Sequence, residues 1–193
     1  MKIGYLFPGQ GSQFVGMGRD LYSNFTDAQR TFEEASDALE FNIGKLCFDG
    51  PDELLQLTEN AQPAILTVSI AALRVLEREG GTHPFLLAGH SLGEYSALVA
   101  SLSLKFPDAV RIVRKRGRFM QEAVPHGQGA MAAILGMDRS NVEDICSQAR
   151  RISGNGSTAV VSPANFNAPD QIVISGHTRA VEAAVDLAKK RGA

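Results

Sequence analysis

The tightest constraint on this chain lies at Gly89-His90-Ser91-Leu92-Gly93. An apolar run at residues 85–88 reads as a buried strand, leads straight into this Gly-x-Ser-x-Gly, and is followed by a helical pattern over 94–100. A strand that turns at once into a helix bends so sharply that its central side chain stands clear of the backbone. Glycines on either side leave room for the chain to fold back on itself. Ser91 is therefore a candidate nucleophile at the carboxyl end of a sheet, with the following amide, that of Leu92, and the helix N-terminus placed to stabilise an oxyanion. A plain strand-to-helix turn containing a serine is the alternative, and the flanking elements favour the nucleophile.

Residues 3–7 read as another buried strand, ended by Pro8 and followed by Gly9-Gln10-Gly11-Ser12-Gln13. This is not a nucleotide loop. It lacks Gly-Lys-Ser/Thr, its glycines depart from G-x-G-x-x-G, and no acidic residue ends a second strand where a ribose needs one. In a serine acyl-transfer enzyme the second oxyanion donor comes from a loop after a neighbouring strand, so Gln10 is the candidate, against the reading of a simple connector. Thr26-Asp27-Ala28-Gln29 resembles a capping box, with Ala28, Phe32, Ala35 and Leu39 at helical spacing behind it. A longer helix is expected from about residue 61, with Pro63 in its first turn, to the stop at Gly80-Gly81; it is apolar around most of its circumference and so belongs in the core.

A helix opened by Pro107 and expected over 108–124 carries Ala109, Val110, Ile112, Val113, Phe119, Met120, Ala123 and Val124 as one apolar stripe. Arg111, Arg114, Lys115 and Arg118 fall on the opposite, solvated side. Arg116 does not: it rises from the middle of the stripe. Either an Asp or Glu of the protein pairs with it, or it reaches out to water, or its planar fork waits for a carboxylate on a substrate. Gly117 beside it allows close approach of another backbone.

From Pro125-His126-Gly127-Gln128-Gly129 the pattern changes. A strand at 130–135, a capping box at Ser140-Asn141-Val142-Glu143 opening a helix to about 151, a flexible loop at 153–157, strands at 158–162 and 171–175 around a turn at 165–170, and a helix at 178–190 follow in order. That is a split βαβ, ferredoxin-like unit lacking its fourth strand. The expected division is 1–124 and 125–193, and the unfinished topology marks the chain as a fragment or as one completed by another chain.

The net charge of −2 and pI near 6.1 exclude nucleic acid and anionic membrane as bulk partners, and no run approaches a membrane span. Cys47 and Cys146 stand far apart without metal-ligand spacing, so two reduced structural thiols in a cytoplasmic protein are expected.

Together, Pro8-Gly9-Gln10-Gly11-Ser12-Gln13, the run from Gly89 to Leu98, Arg116-Gly117-x-Phe119-Met120-Gln121 and Val161-Ser162-Pro163-x-Asn165-Phe166-Asn167 resemble the malonyl-CoA:acyl carrier protein transacylases of dissociated fatty acid synthesis, over all 193 residues. The resemblance implies an α/β fold: an α/β-hydrolase-like large domain, here incomplete, with an inserted ferredoxin-like small subdomain. It also implies that Ser91 takes the malonyl group as an ester, that Gln10 and the Leu92 amide form the oxyanion hole, and that Arg116 binds the malonyl carboxylate. Malonyl-CoA and acyl carrier protein are the partners so implied, with no cofactor and no metal. Arg114, Lys115 and Arg118 are candidates for docking an acidic carrier protein, and Asn165, at the head of a turn over the cleft, for touching substrate.

The family draws its general base, a histidine, from a segment that re-enters the large domain after the small subdomain; that segment is not among these residues. Of the four histidines present, His90 belongs to the elbow and is given a structural or hydrogen-bonding role near substrate, while His83, His126 and His177 are assigned none. A fragment that only binds carrier protein or coenzyme A, and a serine esterase on the same elbow, are the alternatives. Arg116 speaks against the esterase, since a buried cation has no use in a neutral ester pocket.

Overall fold

A computed structural model describes residues 2–124, 127–154 and 159–193 of the protein. His126 and most of the loop expected at 153–157, with the first residue of the strand expected from 158, lie outside the described residues. The fold is mixed α/β, in two units covering residues 1–123 and 124–193.

The first unit runs β1 (Gly4–Phe7), α1 (Arg19–Asn24), α2 (Thr26–Leu39), α3 (Ile43–Asp49), α4 (Asp52–Gln56), α5 (Thr58–Arg78), β2 (Leu86–Gly89), α6 (Gly93–Ala100) and α7 (Phe106–Glu122). β1 and β2 pair in parallel with Phe7 opposite Gly89, so both strands end at the same level. α5 packs against α2 and α7, with Leu66 and Ile70 in the same core as Phe32, Val110 and Val113, but it is covered less completely than expected, Leu76 being 44% exposed. It begins at Thr58, a turn before the position expected, so Pro63 falls inside the helix.

The two strands are less covered than their apolar runs led us to expect. Tyr5 and Phe7 pack into the core, but Leu6 is 81% and Leu86 62% exposed. A parallel sheet reads as continuously apolar when both faces are covered; here, among the described residues, the alternating side chains find cover on one face only. The same holds on α7. Phe106, Ala109, Val110, Val113 and Gly117 are buried, whereas Ile112, Phe119, Met120 and Val124, placed in the apolar stripe, are exposed. Arg114 departs from the solvated face in the other sense: it is half-buried, donates from Nη1 to the Leu39 carbonyl at 3.0 Å and lies over the Phe41 ring.

The second unit runs β3 (Gly129–Leu135), α8 (Arg139–Ser153), β4 (Val161–Ala168), β5 (Gln171–His177) and α9 (Thr178–Lys190). Its strands lie in the order β3-β5-β4, antiparallel throughout. Ile134, Val161, Ile172 and Ile174 on one face of this sheet are buried with Val142, Ile145 and Cys146 of α8 and Val181 of α9. The turn expected at 165–170 is shorter, because β4 continues to Ala168 through two irregularities in register, after Pro163 and after Phe166. Asn165 thus lies within the strand opposite Val173, not at the head of a turn.

Neither expected capping box forms. α2 starts one residue early with Phe25 at its N-cap. α8 is capped by Asp138, which accepts from the Asn141 amide at 2.8 Å and the Ser140 hydroxyl at 2.9 Å. Those bonds hold the Asp138 carboxyl below its usual range. A depressed carboxyl supports the helix start at neutral pH and releases it as the pH falls through that lowered range.

Two expectations test the packing. A Cβ on Gly117 would stand 2.5 Å from the Thr58 carbonyl oxygen and 2.7 Å from Glu59 Cα, so backbone must give way. Gly117→Ala should therefore lower stability by about 1–3 kcal/mol in thermal denaturation despite alanine's better helix propensity; an unchanged Tm would mean that α5 and α7 do not approach so closely. Burial pushes the Cys47 thiol up to about 12. Iodoacetamide at pH 8 should leave Cys47 unmodified until denaturant is added, and rapid labelling of the folded protein would contradict this burial.

Candidate active site

The turn from β2 into α6 is held by its own backbone. His90 N–H donates to the Phe7 carbonyl at 3.2 Å, Gly93 N–H to that of His90 at 2.9 Å, and Glu94 N–H to that of Ser91 at 3.2 Å. Within it Ser91 has φ of 52°, the left-handed region that an L-residue enters at a cost of about 1–2 kcal/mol. The flanking glycines are required by space. A Cβ on Gly89 would meet the Gly93 carbonyl at 2.0 Å, and one on Gly93 would meet the Phe7 oxygen at 2.2 Å. Leu92, wholly buried at the N-cap of α6, carries the amide next to Ser91.

The loop after β1 lies on this turn, since a Cβ on Gly9 would be 2.7 Å from both Nδ1 and the carbonyl oxygen of His90. Gln10 in that loop is exposed and donates from Nε2 to Thr58 Oγ1 at 3.2 Å. The sheet register and this contact bring Gln10's loop to the elbow, as sequence reasoning expected. They also anchor its side chain to the first residue of α5, which sequence reasoning did not.

Arg116 reaches Ser91 directly. Its Nη2 donates to Ser91 Oγ at 2.9 Å, its Nη1 to Gln62 Oε1 at 2.6 Å, and its Cζ lies 5.7 Å from the centre of the Tyr95 ring. Among the described residues no Asp or Glu forms an ion pair with it. Of the three readings of this residue, pairing with a carboxylate of the described chain is thereby removed. A half-buried guanidinium, steadied by neutral groups and touching a serine, keeps its charge available to an anion that reaches Ser91.

Gln62 was missed. It is wholly buried in α5, and its signal in the sequence is a lone amide in a segment otherwise built from Ala, Pro, Ile and Leu. Asn165 is half-buried in β4 of the second unit. His90 is exposed on the elbow, and His177 caps α9 while its Nδ1 accepts from the Val160 amide at 3.3 Å. Among the described residues no cluster of three or more His, Cys, Asp or Glu could hold a metal, and no helix is long and apolar enough to cross a membrane.

A strained serine between a strand and a helix, flanked by glycines, has the geometry of a nucleophile elbow. Residues 4–193 match the acyl transferase domain family, and the chain belongs to it. It is 55% identical over 192 residues to the malonyl CoA-acyl carrier protein transacylase of Bacillus subtilis (strain 168), a match that spans 100% of this chain and 59% of that relative. The transacylase of Escherichia coli (strain K12) is 49% identical over 192 residues, spanning 100% and 60%. Among solved structures, the malonyl CoA-acyl carrier protein transacylase from Coxiella burnetii superposes with a TM-score of 0.93 at 47% identity, covering 100% of this chain and 59% of that one. A malonyl-transacylase solved in complex with a type II polyketide synthase acyl-carrier protein gives 0.92 at 45%, covering 100% and 60%. The chain thus spans about three fifths of the length of these relatives.

The strain at Ser91 is measurable. Ser91→Gly and Ser91→Ala both remove Oγ, but only glycine adopts the positive φ freely, so the Gly variant should be the more stable by about 1 kcal/mol in denaturant titrations. Equal stability would mean that the turn carries no strain.

Proposed function

We propose that this protein transfers a malonyl group from malonyl-CoA to the phosphopantetheine thiol of acyl carrier protein through an ester on Ser91. The observation that carries the reading is the Arg116 guanidinium, 2.9 Å from Ser91 Oγ and without a carboxylate partner among the described residues. An ester on Ser91 with a free carboxylate one methylene beyond its carbonyl brings that carboxylate within reach of the fork. An acetyl group brings nothing, and leaves the cation unpaired.

The reaction is a ping-pong exchange. Ser91 Oγ attacks the thioester carbonyl and gives its proton to a base, the oxyanion is held by the Leu92 amide and a donor from Gln10, and the C–S bond breaks to release coenzyme A, whose thiolate takes the proton from the base. The carrier thiol then attacks the Ser91 ester, and the serine leaves with its proton restored. For the base we propose a histidine from outside these 193 residues, a reading supported by the greater length of the relatives and by the absence of an assignable histidine on the described elements. His90, on the elbow itself, is proposed as a substrate contact.

The finer architecture we propose is an α/β-hydrolase-like large domain contributed by residues 1–124 and a ferredoxin-like small subdomain beginning at 125. The β3-β5-β4 order with two helices on one face supports the second part. For the carrier protein we propose docking at Lys115 and Arg118, on a groove of about 650 Å³ that also includes Leu104, Arg111 and Ile112. Arg118 is exposed and lies 3.5 Å from the half-buried Glu59, leaving most of its guanidinium open to another anion. Arg114 is less suited, its guanidinium being committed to Leu39 and Phe41.

The test is intact mass spectrometry of the full-length protein after brief exposure to malonyl-CoA. A single malonyl adduct is expected, absent in Ser91→Ala. Arg116→Ala should lower kcat/KM for malonyl-CoA by roughly 10²-fold or more, the scale of leaving a carboxylate unpaired, without lowering acylation by acetyl-CoA. An adduct that survives Ser91→Ala, or equal losses with both thioesters, would overturn the proposal.

A further inference from the structure

Gln62 is 0% exposed on α5, and both ends of its amide reach toward α7. Oε1 accepts from Arg116 Nη1 at 2.6 Å, and Nε2 faces Met120 Sδ at 3.4 Å. Arg116 and Met120 are four residues apart, on one face of their helix. The orientation of the amide follows from charge, because the carbonyl oxygen and not the NH2 must meet the guanidinium. Sulfur is a weak acceptor, so the Arg116 bond is what holds the amide. Thr67, the other wholly buried polar residue of α5, turns instead to its own helix, donating to the Pro63 carbonyl at 2.7 Å.

We infer that Gln62 is a positioning residue that sets selectivity for an acyl group bearing a carboxylate. It holds one nitrogen of Arg116 without neutralising it, and so leaves the other nitrogen on Ser91 and the full positive charge for the acyl group. A glutamate of nearly the same shape would make the same contact and fill the anion seat from within the protein. This rests on the reading of Arg116 given above and adds a second residue, in a different helix, on which that reading depends.

The experiment compares single-turnover acylation of the full-length protein by malonyl-CoA and by acetyl-CoA in the unmutated protein, Gln62→Glu and Gln62→Met, with thermal denaturation alongside. Gln62→Glu should raise KM for malonyl-CoA by roughly 10- to 100-fold, the scale of removing one charged hydrogen bond to the substrate carboxylate, while acylation by acetyl-CoA is unchanged or faster. Gln62→Met, of similar volume and without an acceptor for Nη1, should lower the malonyl-to-acetyl ratio in the same direction by a smaller factor. If the buried charge keeps the Glu variant from folding, the Met variant decides. A loss shared equally by both thioesters, or no loss, would assign Gln62 to packing alone and overturn the inference while the transferase reading stands. No malonyl adduct on the unmutated protein would overturn both.

Discussion

The chain crosses itself at the elbow, and much of the first unit is arranged to permit that crossing. Gly93 lies where any side chain would strike the Phe7 carbonyl, and Gly89 where it would strike Gly93. The parallel pairing of β1 with β2, in register to Phe7 and Gly89, brings these backbones together. The bond from His90 N–H to Phe7 then ties the turn to the end of β1. Only in this setting is a serine held at positive φ, because the surrounding bonds over-determine a conformation it would not adopt alone. The side chain consequently projects from the strand ends toward α7.

What meets it there is placed by the first turns of α5. Thr58 takes the Gln10 side chain, the backbone at Thr58 and Glu59 lies against Gly117 of α7, and Gln62, one turn further on, holds Arg116. Gly117 matters through its missing side chain: only a helix without a Cβ there can come so close that the neighbouring Arg116 reaches both Gln62 and Ser91. Further along, α5 packs against α2 and α7 with Leu66 and Ile70 in the core, so its first turns are carried by a rigid body. The loop that carries Gln10 and the Arg116 cation thus share a support that belongs to neither.

How much of this was legible depends on how local the physics is. The elbow could be read because its glycine-serine-glycine pattern falls within five residues, although the backbone that Gly93 makes room for, at Phe7, lies far off in sequence. Arg116 could be read as anomalous because a charge between Ile112 and Met120 breaks a helical period, but its partner could not, since Gln62 meets it only through the packing of two helices. The capping boxes failed for a related reason: Asp138, two residues ahead of the expected cap, offers a carboxylate to Asn141 and Ser140, and the local pattern does not rank one start over another. Asn165 was put in a turn because Pro163, Asn165 and Asn167 are poor strand formers; pairing with β5 carries them through register shifts instead. Apolar periodicity correctly set Val110 and Val113 inside, yet it reports what is apolar rather than what is covered, so Leu6, Leu86 and Phe119 are exposed in the described structure.

Two unfavourable features coincide at the site: a strained backbone at Ser91 and a guanidinium without a counter-charge among the described residues at Arg116, 2.9 Å apart. Each alone could be removed by one substitution, glycine for the serine or a carboxylate placed beside the guanidinium. Their coexistence is therefore not explained by stability. The left-handed turn sets Oγ beside Arg116, and under the proposed transfer an acyl group with a negative end would supply the counter-charge that the described residues lack. The rest of the first unit, with its apolar α5 and close α5–α7 contact, carries the stability that lets the two persist.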